Sequence, residues 1–222
     1  MQLYELCGED RERRFSPYTW RIRLALAHKG LAFETCPTRF TEIPAILGGG
    51  QTSVPVLVDG EAIVRDSFAI AEYLEETYPD RPALFGGDGG RRLSRFVESW
   101  VTGTLHPQIV GLVVADIHAI LSEADKTYFR QSREGWFKGV TLEEKQAGRE
   151  ERLPAFQASL DPLRAHLKRA AFMGGEAPLF ADFILAGTLT WPMKVSDLEL
   201  FEPGDPVLDW YRRVMAINGG RP

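Results

Sequence analysis

Cysteine is nearly missing from this 222-residue chain: only Cys7 and Cys36 occur, with no C-x-x-C pair and no framework of the kind that staples small secreted domains. Disulfide cross-linking is therefore not expected, and both thiols read as inert. Histidine is equally sparse. His28, His106, His118 and His166 form no H-E-x-x-H or Cys/His spacing, so no metal is expected. The longest apolar stretch, Ile109 to Ala115, is interrupted by Gly111 and falls well below the ~18 residues that a membrane span needs. The glycine clusters are not followed by Lys-Ser/Thr, which removes a phosphate-binding P-loop. Positive charge is not in excess, with 26 Lys plus Arg against 31 Asp plus Glu and a net charge of −5, and this disfavours a nucleic-acid partner. Met1 to Leu6 enters a strand pattern with no basic region, apolar run or small-residue cleavage site before it. A soluble cytoplasmic protein without secretion signal or membrane partner is expected.

The apolar content of 44%, with 11% aromatic residues, is enough for a buried core in one large or two modest domains. The first eighty residues alternate strand and helix, the pattern of an α/β sheet with crossover helices. Leu3 to Leu6 reads as a strand. Cys7 to Phe15, with Arg11, Arg13 and Arg14, reads as a solvated loop. Ser16 followed by Pro17 is an N-cap and a first helical residue, and the helix they open stops at His28, Lys29 and Gly30. A second strand is expected over Leu31 to Cys36, then an irregular Gly-rich connection from Pro37 to Gln51 with room for a short helix. Val54-Pro55-Val56-Leu57-Val58 and Ala62-Ile63-Val64 around Asp59-Gly60 predict an antiparallel hairpin. A helix opens at Asp66 and Ser67 and ends before Pro79.

Beyond that point strand signals fade. Residues 81–90 read as a linker and 91–222 as helical, with one long segment from Arg91 to about Leu121 bent or broken at Pro107. Thr141 to Glu144 is a capping box opening a helix that Pro154 and Pro162 kink or break. Later helices are expected from Pro178 through Leu189 and from Asp205-Pro206 around Trp210.

This succession, carried by Phe15 to Arg21, Val54 to Val58 and Asp66-Ser67, with Phe180-Ala181-Asp182-Phe183 as a further point, resembles the cytosolic glutathione transferases over nearly the whole chain. The first helix, Trp136-Phe137, Gln146 to Glu150 and Asp209-Trp210 resemble the serine-type bacterial branch that includes β-etherase-related transferases. The resemblance implies a thioredoxin-like domain over residues 1–80, which binds glutathione as co-substrate, and an all-α domain that shapes a hydrophobic substrate site. It also implies a homodimer and a role in detoxification. Two departures stand out. Leu179 occupies the position, three before Asp182, where the family places a Ser, Thr or Asn cap, and a lost cap typically costs ~1 kcal/mol. The chain also stops at Gly219 to Pro222, where relatives in this branch often continue, so a tail closing over the pocket is expected to be reduced.

Glutathione reacts as a thiolate, whereas a free thiol with pKa near ~8.5 is mostly protonated at neutral pH. Taken alone, Ser16 is a helix cap. With the other segments it becomes the residue whose hydroxyl proton points at the sulfur, assisted by the positive end of the helix dipole. Val54-Pro55 alone is an edge-strand proline, and the resemblance implies instead a cis bond that turns the Val54 backbone toward the cysteinyl unit. Asp66 and Ser67 are either caps or the site of the γ-glutamyl head group. Gln51 and Arg39 are candidates for the peptide backbone and the glycyl carboxylate. Tyr18, Trp100 and His106 are candidates for the hydrophobic pocket or for ordinary core. A non-catalytic glutathione-binding protein and a glutathione-dependent isomerase remain as alternatives to a transferase acting on a hydrophobic electrophile.

Overall fold

The strand β1 (Gln2–Leu6) lies inside a four-stranded sheet of order β2-β1-β3-β4, in a computed structural model that describes residues 1–217. Gly219 to Pro222, on which the expectation of a reduced tail rests, lie outside the described residues. Helix α1 (Pro17–His28) carries the chain over to β2 (Glu34–Thr38), which pairs parallel to β1. β3 (Val56–Asp59) runs antiparallel to β1, and β4 (Ala62–Arg65) antiparallel to β3, closing the expected hairpin around Asp59-Gly60. Helix α2 (Ser67–Thr77) follows directly. This is the thioredoxin-like arrangement.

Two sequence expectations shift here. The second strand begins at Glu34 and not at Leu31, because the Leu31 N–H still bonds back to Leu26 and the three residues after Gly30 complete the exit from α1. It also runs through Pro37, which the sequence places in the following loop. A proline is tolerated because β2 is an edge strand, where no ladder partner needs its missing N–H. The loop before α1 is not simply solvated. Arg14 is drawn in against Glu5, a fully buried carboxylate on β1 that Arg23 of α1 also holds at 2.8 Å. Burial pushes the Glu5 carboxyl up more strongly than the two arginines lower it. Likewise Lys29 does not dress the end of α1 in water but is buried against Glu75 at 2.9 Å.

After Pro79 the chain is helical. α3 (Asp88–Trp100) begins inside the expected linker, with Gly89 and Gly90 in its first turn. Gly90 is required there, since a Cβ would lie 1.7 Å from the Phe85 carbonyl oxygen. α3 joins α4 (His106–Ala119) through a single π-helical turn, Val101–Leu105. That widened turn places Pro107 in the first turn of α4, and so avoids the clash between a mid-helix proline ring and the carbonyl four residues earlier.

α5 (Glu123–Trp136), capped by Ser122, then crosses toward the N-terminal half. α6 (Leu142–Gln146) opens on the expected Thr141 capping box. The next break falls at Gly148, in a left-handed conformation with φ 67°, and Pro154 lies within α7 (Arg149–Ala158) instead of ending a helix. α8 (Asp161–Leu167) takes Pro162 in its first turn. α9 (Phe180–Val195) runs past Leu189, and α10 (Pro206–Ala216) is capped by Asp205. Among the described residues no helix is long and apolar enough to cross a membrane.

α9 is the spine of the helical half and packs along α1. Its start lacks a hydroxyl cap, yet it is well held. The fully buried Asp182 carboxylate accepts from the backbone N–H of Met173 (2.8 Å), Gly174 (3.2 Å) and Leu179 (3.0 Å) and from Trp210 Nε1 (2.9 Å), while Phe180 N–H donates to Leu84 O at 2.6 Å. Beside it, Phe68 of α2, Phe85 and Phe180 form a buried aromatic triad with centroids 5.4–5.5 Å apart, which joins the two halves. Gly187 is the point of closest approach between α9 and α1: a Cβ there would sit 2.6 Å from Pro17 O and 3.0 Å from Arg21 N. Gly187→Ala is therefore expected to lower stability by about 1–3 kcal/mol through overpacking. Gly135→Ala, on open α5 surface with nothing within 4 Å, serves as the control and should leave Tm unchanged or raised. Thermal melts of the two variants check the contrast.

Candidate active site

Between the halves lies a cavity of about 1020 Å³, and the start of α1 forms one wall. Ser16 caps that helix in an extended conformation (φ −64°, ψ 123°), and its Oγ accepts from Thr19 N–H over a long 3.4 Å. No protein acceptor among the described residues takes its hydroxyl proton, so that proton is free for a ligand in the cavity. Pro17 fixes the first turn, and Trp20 Nε1 donates to Arg14 O at 2.9 Å, which anchors the loop that delivers Ser16. The dipole of α1 places roughly half a positive charge at this end.

The second wall is the stretch Gln51 to Val54. The Val54–Pro55 peptide is cis. Gln51 is buried, and its Oε1 accepts from Arg65 Nε at 2.7 Å, so the side chain is oriented before any ligand arrives. The 3-10 segment Phe40–Gly48 closes the next side, held directly by the buried Asp125 of α5, whose carboxylate accepts from Phe40 N–H (3.1 Å) and Thr41 N–H (2.9 Å). The site is thus tied to both halves.

Beside Ser16 in the first turn of α1, Tyr18 stands 3.5 Å from Nδ1 of His106 on α4, whose Nε2 is 3.3 Å from Thr188 Oγ1. The Thr188 hydroxyl spends its proton on Ile184 O at 2.9 Å. Nε2 of His106 must therefore be the donor, and Nδ1 is left to accept from Tyr18. Burial, and then the nearby Arg21 guanidinium, lower the His106 pKa to about 4, so the ring is neutral at neutral pH. Arg21 is itself fully buried, paired with Glu98 at 2.9 Å, 3.5 Å from Ser67 Oγ and stacked beneath the Tyr18 ring.

Of the residues singled out in the sequence, Ser16, Tyr18, Gln51, Val54 and His106 converge on this cavity, with Pro55 buried directly behind Val54. Asp66 and Ser67 sit together at the start of α2, outside the cavity lining. Asp66 takes a positive φ of 69° and caps its own helix through Phe68 N–H (2.9 Å) and Ala69 N–H (3.0 Å). Two further candidates also lie outside the lining. Arg39 donates to Glu9 O at 2.9 Å, and Trp100 packs half-buried at the end of α3.

Most of the apolar lining escaped the sequence reading. Val110, Val114 and Ile117 extend the His106 face of α4 at helical spacing, and Phe129, Arg133 and Trp136 do the same on α5. The spacing was the available signal. Its meaning depended on knowing that α5 crosses back over the 3-10 segment. Among the described residues no group of three His, Cys, Asp or Glu side chains is placed to hold a metal ion.

Two family models match the chain, "Glutathione S-transferase, N-terminal domain" over residues 12–82 and "Glutathione S-transferase, C-terminal domain" over residues 93–221. Among solved structures, glutathione transferase GSTFuA3 from Phanerochaete chrysosporium is similar with a TM-score of 0.86 and 27% identity, covering 97% of this chain and 96% of that one. Glutathione S-transferase Z1 of Arabidopsis thaliana is 37% identical over 92 residues, 35% of this chain and 39% of the relative. A maleylacetoacetate isomerase of Pseudomonas aeruginosa is 40% identical over 101 residues, 41% of this chain and 47% of its own length. The chain therefore spans less than half the length of these curated relatives.

Proposed function

Because the chain belongs to the glutathione S-transferase family, we propose that it activates the thiol of glutathione as a thiolate and directs it at a hydrophobic electrophile. The observation that carries this reading is the uncommitted hydroxyl proton of Ser16 at the positive end of α1, on the wall of an apolar cavity. Glutathione would lie along the N-terminal half. Its sulfur meets Ser16, its cysteinyl backbone pairs with Val54 ahead of Pro55, its γ-glutamyl head group meets Asp66 and Ser67, and Gln51 offers its amide nitrogen to the peptide. The second substrate occupies the aromatic side, with Tyr18 and His106.

We assign the protein to the serine-type group on the position of Ser16, and to the β-etherase-related branch on the likeness of its first helix and of Gln146 to Glu150. A glutathione-dependent isomerase is the second reading, favoured by the likeness to maleylacetoacetate isomerase. The two differ in whether free glutathione falls during turnover. A cytoplasmic setting and a detoxifying role are carried over with the transferase reading. So is a homodimer, supported by Leu93 and Phe96, which stand 66% and 68% exposed on α3. Sedimentation is expected to give twice the 24.9 kDa chain mass, and a single-chain mass would remove the dimer.

Ser16→Ala tests the catalytic assignment. The hydroxyl touches only the sulfur, so glutathione affinity should hardly change. Losing one charge-assisted hydrogen bond, about 1.5–3 kcal/mol, should cut kcat/KM roughly tenfold to a hundredfold at pH 7. The lost donor raises the bound thiol's pKa, which removes thiolate at pH 7 but not at pH 9, so the deficit should shrink in base. A deficit that stays constant across that pH range would mean that Ser16 only caps the helix.

A further inference from the structure

Among the described residues, Arg133 is the one charged residue lining the cavity. It projects from the last turn of α5, with its guanidinium carbon 4.0 Å from the Trp136 ring centroid, 4.7 Å from that of Phe129 and 5.6 Å from that of Phe40. These rings fix the plane of the guanidinium without neutralising it. Its hydrogen bond to protein is from Nη1 to Ser132 Oγ at 2.9 Å, and among the described residues it joins no ion pair. The nearest acids along α5 are engaged elsewhere: Asp125 holds the backbone of Phe40 and Thr41, and Glu134 pairs with Arg130 at 2.7 Å. A half-buried cation is thus left facing a cavity with its donor fork largely unused. Burial pushes its pKa down, as expected for a guanidinium whose counter-charge is missing.

We propose that Arg133 determines specificity by pairing with a carboxylate on the second substrate, which makes that substrate an aromatic monoanion. This rests on the transferase reading of the cavity and names the class of molecule it takes. The planar fork of a guanidinium matches a carboxylate through two parallel N–H···O bonds, and stacking on aromatic rings keeps the fork pre-oriented. The surrounding rings suit a flat apolar body. Among the described residues no second charge lines the cavity, and His106 is neutral, so one negative group is the number that the site can match.

The test uses 1-naphthoate and its uncharged isostere 1-naphthamide as probes, with S-methylglutathione as the unreactive partner, all followed by titration calorimetry. The native protein should bind naphthoate roughly tenfold to a hundredfold more tightly than naphthamide, the range for a hydrogen-bonded charge pair. Arg133→Met keeps the apolar stem and should abolish that preference while leaving naphthamide affinity unchanged, which also certifies that the variant is folded. Arg133→Lys should retain part of the preference. S-methylglutathione should bind the native protein and both variants equally. Equal affinity of naphthoate and naphthamide for the native protein would overturn the proposal. It would also be overturned if Arg133→Met weakened S-methylglutathione and spared naphthoate, since the guanidinium would then belong to the glycyl carboxylate. Failure of S-methylglutathione to bind the native protein would instead count against the transferase reading, because the naphthoate preference can be measured without it.

Discussion

The close approach of α9 to the first turn of α1 at Gly187 is the contact on which the remainder of the site depends. The atoms it reaches are Pro17 O and Arg21 N, so it fixes the turn that Ser16 begins. A helix start that shifted by an ångström would move both the hydroxyl and the positive end of the dipole away from the sulfur they are to meet. α9 can act as this reference because its own start is immobilised by the buried Asp182 and by the Leu84 carbonyl of the connection between the halves. The helical half therefore does more than wall off the substrate. It sets the position of Ser16, the residue proposed to activate glutathione.

Two buried charges extend this arrangement into the cavity. Arg21 lies beneath Tyr18 and beside Ser67, balanced by Glu98, and its field keeps His106 neutral together with burial. Arg133 also lines the cavity and has no ion-pair partner among the described residues. On the proposed reading, the start of α1 offers a hydrogen bond and a helix dipole to the glutathione thiolate, while Arg133 offers a cation held among aromatic rings to a carboxylate of the second substrate.

The local signals in the sequence carried the parts of the fold that are locally determined. Ser16-Pro17 opens α1 and Gly30 closes it, Asp59-Gly60 turns the hairpin, and Thr141 to Glu144 caps α6, because each rests on backbone groups a few residues apart. What long-range contacts decide was not legible. Pro37 reads as a strand breaker until β2 is known to be an edge, and Gly89-Gly90 reads as linker until Phe85 is known to press on the helix start. Leu179 reads as a lost cap, although Asp182 compensates with three backbone N–H groups and an indole brought together only by the tertiary fold. In the site, Ser16 and Val54 line the cavity, whereas Asp66, Ser67, Arg39 and Trp100 lie outside its lining, because which side chains border it is decided by how the two halves pack.

The central claim is that the start of α1 holds bound glutathione as its thiolate, and the most direct test is the ultraviolet absorbance of the thiolate followed against pH in the native complex. Ser16 and the helix dipole together should lower the thiol pKa by roughly one to two units from the free value near ~8.5, so roughly a quarter to three quarters of the bound glutathione is ionised at pH 7, against a few per cent when free. A titration curve that coincides with that of free glutathione would contradict the account.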